Sequence, residues 1–204
     1  SDATITSNQK PSFDWSDSTD IVGISNYEFV ISTDINFSIW SERAEPSTSY
    51  YQPTADYNSQ TYYWRVRAKN NAGSWSNYTS TYTITIDTIA PVIVNTEISQ
   101  PVYWTNSVKS AGYDVDFYEI GSKIQDIRYK IHTLPSEGGS VLVNWETIRS
   151  TSGYTQVAFT PPLNLVSYTT NFAVNFDLLQ NGTNYISVRV IDLAGNTSTW
   201  IDAF

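Results

Sequence analysis

Residues Tyr57–Gly73 read YNSQTYYWRVRAKNNAG, and residues Leu179–Gly195 read LQNGTNYISVRVIDLAG. The offset is 122 at both ends, from Tyr57 to Leu179 and from Gly73 to Gly195. At that offset Thr61 meets Thr183, Tyr63 meets Tyr185, Val66 meets Val188, Arg67 meets Arg189, Ala72 meets Ala194 and Gly73 meets Gly195. A matched segment in each half is one supersecondary unit used twice, so the sequence predicts two related domains. Within the first copy Trp64, Val66 and Ala68 alternate with Arg65 and Arg67. That period of two belongs to an antiparallel strand with one apolar face and one wet face.

Composition agrees with an all-β chain. Its 204 residues suffice for two domains of about 100 residues each. Aromatics make up 15% and charged residues only 15%, against a usual charged share of about 25%. Rings and β-branched residues suit sheet interiors, and the aromatic content is ample for two cores. The net charge of −9, with no Lys/Arg cluster to offset it, disfavours nucleic-acid binding. The absence of Cys removes disulfides, thiolate metal sites and cysteine catalysis together. A secreted chain without Cys is expected from a bacterial surface rather than from a disulfide-stapled animal domain. No apolar run is long enough to span a membrane as a helix. The opening SDATIT and the closing strand Trp200–Phe204 suggest a segment of a longer extracellular polypeptide.

Strands are expected near 4–6, 11–16, 25–33, 37–41, 48–52, 61–70 and 79–86. In the second half they are expected near 92–98, 113–120, 124–132, 140–146, 155–160, 169–179, 184–192 and 198–204. Turn-forming clusters separate them, among them Asn58-Ser59, Asn70-Asn-Ala-Gly73 and Asn181-Gly182. Short strands at this spacing predict β-sandwiches. Pro91 stops strand pairing, which places a boundary near residue 88 and gives domains 1–88 and 89–204. The joint has no Gly/Ser run, so limited bending is expected.

The first domain resembles the fibronectin type III family of bacterial extracellular proteins. The pieces that carry the resemblance are Pro11-x-Phe13-x-Trp15, Gly23-Ile-x-x-Tyr27-x-Phe29-x-Ile31, Thr61-Tyr-Tyr-Trp-Arg-Val-Arg-Ala68, Asn71-Ala-Gly73 and Ile86-Asp-Thr-x-Ala-Pro91. The resemblance implies a core position for Trp15 and a corner tyrosine at Tyr62. The second domain resembles bacterial immunoglobulin-like repeats through Leu179-x-x-Gly182-Thr-Asn-Tyr-x-x-Val188-Arg-Val-x-Asp192-x-Ala-Gly-Asn196, with Asn184 where the corner tyrosine would stand. Together these imply two tandem immunoglobulin-like (fibronectin type III-like) antiparallel β-sandwich domains.

Chemistry is sparse. The single His, His132, needs an activated Ser to serve a Ser-His-Asp triad, and no Gly-x-Ser-x-Gly flags one. Asp and Glu fall mostly in turns and strand ends, where local hydrogen bonding explains them. Calcium wants converging oxygens; the candidates are Asp17 with Asp20, Asp192 with Asn196, and Asp87, each also accounted for by turn chemistry. Trp40, Trp75, Trp104, Trp145 and Trp200 are candidate sugar platforms, or else caps on the sandwich ends. Asn36, Asn77, Asn181 and Asn196 head Asn-x-Ser/Thr triplets, which chance explains in so polar a chain. No catalytic, cofactor-binding or metal residue is assigned, and no cofactor. The expected role is a non-catalytic spacer or adhesive stalk segment outside the cell. Neighbouring domains or copies of the same protein are the expected partners. The alternative is a polysaccharide-binding or accessory module of a secreted hydrolase.

Overall fold

A computed structural model describes residues 4–95, 113–149 and 159–203. The described residues are all-β apart from one 3-10 turn, Phe176–Leu178. The chain divides into two units, Ser1–Thr88 and Ile89–Phe204.

Unit 1 contains β1 (Thr4–Thr6), β2 (Phe13–Asp14), β3 (Ile24–Ser32), β4 (Glu42–Ala44), β5 (Tyr50–Tyr51), β6 (Gln60–Asn70) and β7 (Tyr82–Ile86). Five of them form a sheet in the order β1-β7-β6-β3-β4, and β2 pairs with β5. The core lies between the two sheets. Phe29 and Ile31 of β3, Tyr62, Trp64 and Val66 of β6, and Ile84 and Ile86 of β7 pack against Phe13 of β2. Rings carry much of this contact: Phe29 lies 4.7 Å from Phe13 and 4.8 Å from Tyr51 between centroids. Such pairs add about 0.5–1.5 kcal/mol each beyond the area they bury. The alternation in β6 falls as expected, with Trp64, Val66 and Ala68 buried and the arginines between them only partly covered.

Strand β3 departs from the expected wet face. Glu28, Val30 and Ser32, which alternate with the core-facing Phe29 and Ile31, are buried too. The reason is a second layer over that side. Arg65 stacks between Phe37 at 4.0 Å and Tyr78 at 4.1 Å, and Arg67 between Trp75 at 4.6 Å and Tyr78 at 4.7 Å. The strand expected at 37–41 is therefore a turn. Asp34 accepts hydrogen bonds from the N–H groups of Asn36 and Ser38, and Phe37 adopts φ 56°. Residues 74–81 run beside β6 without forming a full strand: Ser76 and Thr79 donate from their backbone N–H to Ala68 and Val66.

Unit 2 contains β8 (Val92–Asn95), β9 (Val115–Tyr118), β10 (Ile124–Leu134), β11 (Gly138–Thr147), β12 (Ser167–Tyr168), β13 (Tyr185–Asp192) and β14 (Thr197–Trp200). They form a four-stranded sheet, β11-β10-β13-β14, and a three-stranded one, β12-β9-β8. Phe117, Ile124, Ile127, Tyr129, Ile131, Phe172, Val188 and Val190 are wholly buried in a shared cluster. The strand expected at 169–179 reduces to isolated bridges at Phe172 and Ala173. Beyond them the Asn175 N–H donates to the Tyr129 hydroxyl, and the 3-10 turn Phe176–Leu178 follows. Most of the strand expected at 155–160 lies outside the described residues, as does Trp104.

The corner positions of the repeat keep one task with different chemistry. The Tyr62 hydroxyl accepts from the Asn58 N–H at 3.0 Å. In unit 2 Asn184 Oδ1 accepts from the Gln180 N–H at 3.2 Å. In each case the side chain holds the backbone four residues upstream, so the corner survives the change from Tyr to Asn.

Candidate functional site

The repeated segment ends in the same turn twice. In unit 1 Asn70 Oδ1 accepts from the N–H groups of Ala72 and Ser74, and Gly73 at φ 89° donates to the Asn70 carbonyl. In unit 2 Asp192 Oδ1 accepts from the Asn196 N–H at 2.8 Å, and Gly195 at φ 90° donates to the Asp192 carbonyl. A left-handed φ of this size is where glycine belongs, which fixes Gly73 and Gly195. The capping side chain is an amide in one unit and a carboxylate in the other, and Asn196 stands where unit 1 has Ser74.

That carboxylate has an acidic neighbour. Asp192 is fully buried, and Asn196 Nδ2 donates to its Oδ2 at 2.8 Å. Glu119, on the turn between β9 and β10, is 5% exposed, and its carboxylate approaches that of Asp192 to within 4.8 Å. Glu119 Oε1 accepts from the N–H groups of Ile120 at 2.8 Å, Gly121 at 2.7 Å and Ser122 at 3.3 Å. Glu119 Oε2 and Ser122 Oγ are both buried without a hydrogen-bond partner among the described residues. Sequence reasoning reached Asp192 and Asn196 but took Glu119 for an ordinary strand end. The signal was available in Glu119-Ile-Gly-Ser122, an acid opening a tight turn whose N–H groups close back on it.

The first pair of calcium candidates is engaged differently. Asp17 and Asp20 are exposed. Asp20 accepts from the Val22 N–H and from Asn70 Nδ2. Asp87 is buried at the end of unit 1, where its N–H donates to the Thr6 carbonyl at 2.9 Å.

His132 is also buried, and the fold brings it to Ser187 and Asp202. Its Nε2 lies 3.2 Å from Ser187 Oγ and 3.3 Å from Asp202 Oδ1. A catalytic triad needs the carboxylate on one ring nitrogen and the serine on the other. Here both sit at Nε2, and Nδ1 has no hydrogen-bond partner among the described residues. Ser187 Oγ further accepts from the Asp202 N–H at 3.1 Å. The three side chains tie strand ends together and lack the arrangement for relaying a proton.

Unit 1 holds its own charged centre. Glu28 is 1% exposed and accepts from Arg43, Arg67 and Tyr78. Burial pushes its carboxyl up, but the Tyr78 and Arg67 hydrogen bonds, the Arg67 charge and Arg43 together hold it below the usual glutamate range. Of the tryptophans singled out, Trp75 lies under Arg67 and Lys69, and Trp145 under Arg189 and Lys130. Trp40 and Trp200 keep nearly half of their surface exposed. A cleft of about 330 Å3 in unit 1 is lined by Asp14, Trp15, Tyr27, Arg67 and Asn77 among others. Trp15 is only half-buried, packing 6.1 Å from Phe29 and 5.6 Å from Tyr27, with its indole N–H unpartnered among the described residues.

No known protein family and no curated protein matches the chain. Among solved structures, the α-L-rhamnosidase from Dictyoglumus thermophilum matches at 14% identity with a TM-score of 0.36. The match covers 98% of this chain and 28% of that one. The chain thus spans under a third of that enzyme, and a likeness this distant transfers no function.

Proposed function

We propose that the chain is a non-catalytic, load-bearing spacer segment of an extracellular protein. The observation that carries this reading is the pairing of the first and last strands of unit 1. β1 lies beside β7 and runs parallel to it, with Thr4 opposite Ile84, Ile5 opposite Thr85 and Thr6 opposite Ile86. In a parallel pair the start of one strand and the end of the other lie at opposite ends of the ladder. Tension entering before β1 and leaving after β7 therefore slides the strands along one another. The ladder bonds, and the Asp87 N–H to Thr6 carbonyl bond that extends them, are loaded together rather than broken in turn. That is the geometry expected of a module that transmits force without opening.

Single-molecule stretching of the chain between its termini tests the idea. Fully extended residues span at most about 3.3–3.6 Å each, so unit 1 releases about 300 Å and unit 2 about 400 Å. The two events are thus told apart by length. Removal of residues 1–7, which deletes β1, should lower the rupture force of the shorter event. An unchanged force would refute the load-bearing reading.

A second reading, polysaccharide binding, is favoured by the cleft of unit 1. Its aromatic rings, a carboxylate, a guanidinium and an amide are the groups that hold sugars. Affinity electrophoresis decides it. Retardation by a polysaccharide that Asn77→Ala abolishes supports this reading, and free migration across a broad panel removes it.

A further inference from the structure

We propose that the Glu119 turn and the Asp192 turn of unit 2 form a calcium site, independently of any load-bearing role. Four observations converge on it, and the first is the comparison within the chain itself. Asn70 builds the same turn as Asp192 with a neutral amide, so the turn does not require a carboxylate at position 192. The backbone turn itself does not need the charge, whose second oxygen, Oδ2, takes the Asn196 side-chain amide instead.

The second observation is burial. Asp192 is 0% and Glu119 5% exposed, and their carboxylates lie within 4.8 Å of one another. Among the described residues Glu119 pairs with no Lys or Arg. Charge buried in this way is costly unless it is paired or coordinates a metal.

Third, Glu119 is anchored through one oxygen only. Three backbone N–H groups fix Oε1, which orients the carboxylate, while Oε2 stays buried without a donor among the described residues. A buried acceptor left bare costs about 1–3 kcal/mol, and a cation removes that cost. Ser122 Oγ, bare on the same turn, adds a neutral oxygen.

Fourth, the donor chemistry is selective. The side chains gathered here offer oxygen and no imidazole or thiolate, which suits a hard divalent cation and not zinc or copper. Calcium bonds oxygen at about 2.3–2.6 Å, so one ion reaches two oxygens up to about 5 Å apart. The observed separation falls within that span. Magnesium, at about 2.0–2.1 Å, demands a tighter octahedron and keeps more of its water.

The test is calorimetric titration of the whole chain with calcium chloride, alongside thermal melts in chelator, calcium and magnesium. Asp192→Asn and Glu119→Gln are the informative variants. The first installs the residue that unit 1 already uses in this turn, and the second keeps an acceptor for the three N–H groups, so both are built to fold. Their melts in chelator check that. The parent chain should bind one calcium and melt higher with it, and each variant should bind about tenfold more weakly or worse, since affinity follows the number of charged ligands. Asp17→Asn/Asp20→Asn should bind as the parent does. No heat and no melting shift at millimolar calcium overturns the proposal. So does undiminished binding by both folded variants, and an equal shift with magnesium overturns the assignment to calcium.

Discussion

Replacing Glu28 with glutamine tests whether the layer of arginines and rings over β3 stabilises unit 1 or merely decorates it. The substitution keeps shape and removes charge. It leaves Arg43 and Arg67 facing a neutral amide, with one of the two acceptor oxygens exchanged for a donor. Breaking one side of a fully buried ion pair costs about 3–5 kcal/mol. The arginine side chains are 41% and 27% exposed, so water recovers part of their solvation. Hydrogen bonds to charged groups contribute about 1.5–3 kcal/mol. The expected loss is about 2–3 kcal/mol. In a unit of 88 residues that lowers the melting temperature by about 10–20 °C, at about 4–8 °C per kcal/mol. Differential scanning calorimetry of the whole chain reads it, with only one of the two unfolding transitions moving. Arg43→Gln, at the exposed rim, should cost at most about 1 kcal/mol. The acid limb adds a second reading. The Glu28 carboxyl is held below its usual range in the folded unit, so the unfolded chain takes up the proton first as pH falls. The stabilisation is complete above the ordinary glutamate value of about 4.3 and is lost as pH drops through the lower folded value. Glu28→Gln should flatten that limb. A variant that melts within about 2 °C of the parent, or that keeps the same acid sensitivity, refutes the reasoning.

The corner residues should behave alike although they differ in chemistry. Tyr62→Phe and Asn184→Ala each leave a backbone N–H, of Asn58 and Gln180, without its side-chain acceptor, at about 0.5–1.5 kcal/mol apiece by urea titration. A null effect at either would remove the claimed equivalence. At the alkaline end, burial pushes the Tyr168 phenol up to about 12. The folded chain thus holds this proton above the ordinary value of about 10. Its contribution to stability is complete below pH of about 10 and is lost as pH rises toward about 12. Tyrosinate absorbance followed alongside circular dichroism should show this ionisation arriving with unfolding; ionisation at the ordinary value in the folded chain would contradict it.

The sequence made most of the sheet plan legible because core packing and turn chemistry leave local marks. Alternation in β6 identified its buried face, and Asn-Gly and Asn-Ala-Gly marked reversals. What misled was segment 37–41, where an apolar run reads as a strand until Asp34 is seen to hold the chain in a turn. The covered outer side of β3 was hidden for a different reason. Glu28 and Val30 look like the ordinary mixed positions of a half-wet strand. Their burial depends on Phe37 in the turn that follows β3 and on Trp75 and Tyr78, remote in sequence, arriving over Arg65 and Arg67. The acidic pair of unit 2 was half legible. Asp192 sat inside the repeat, but Glu119 lies 73 residues upstream, and no local pattern joins them.

The repeat separates what the fold demands from what each unit adds. Both copies need a side chain to catch the backbone four residues upstream, and both need a capped turn closed by a left-handed glycine. Tyr62 and Asn184 satisfy the first need, and Asn70 and Asp192 the second. Where two residues of different charge meet an identical structural need, that need cannot explain the charge. In unit 1 the surplus charge lies at Glu28, and three donors from the same unit neutralise and bind it. In unit 2 it lies at Asp192 beside Glu119, and Glu119 has no cationic side chain among its described partners and leaves one buried oxygen without a described donor. The physical cost of burying a carboxylate is the same in both, so a cation from solution is the counterpart in unit 2 of what Arg43 and Arg67 supply in unit 1.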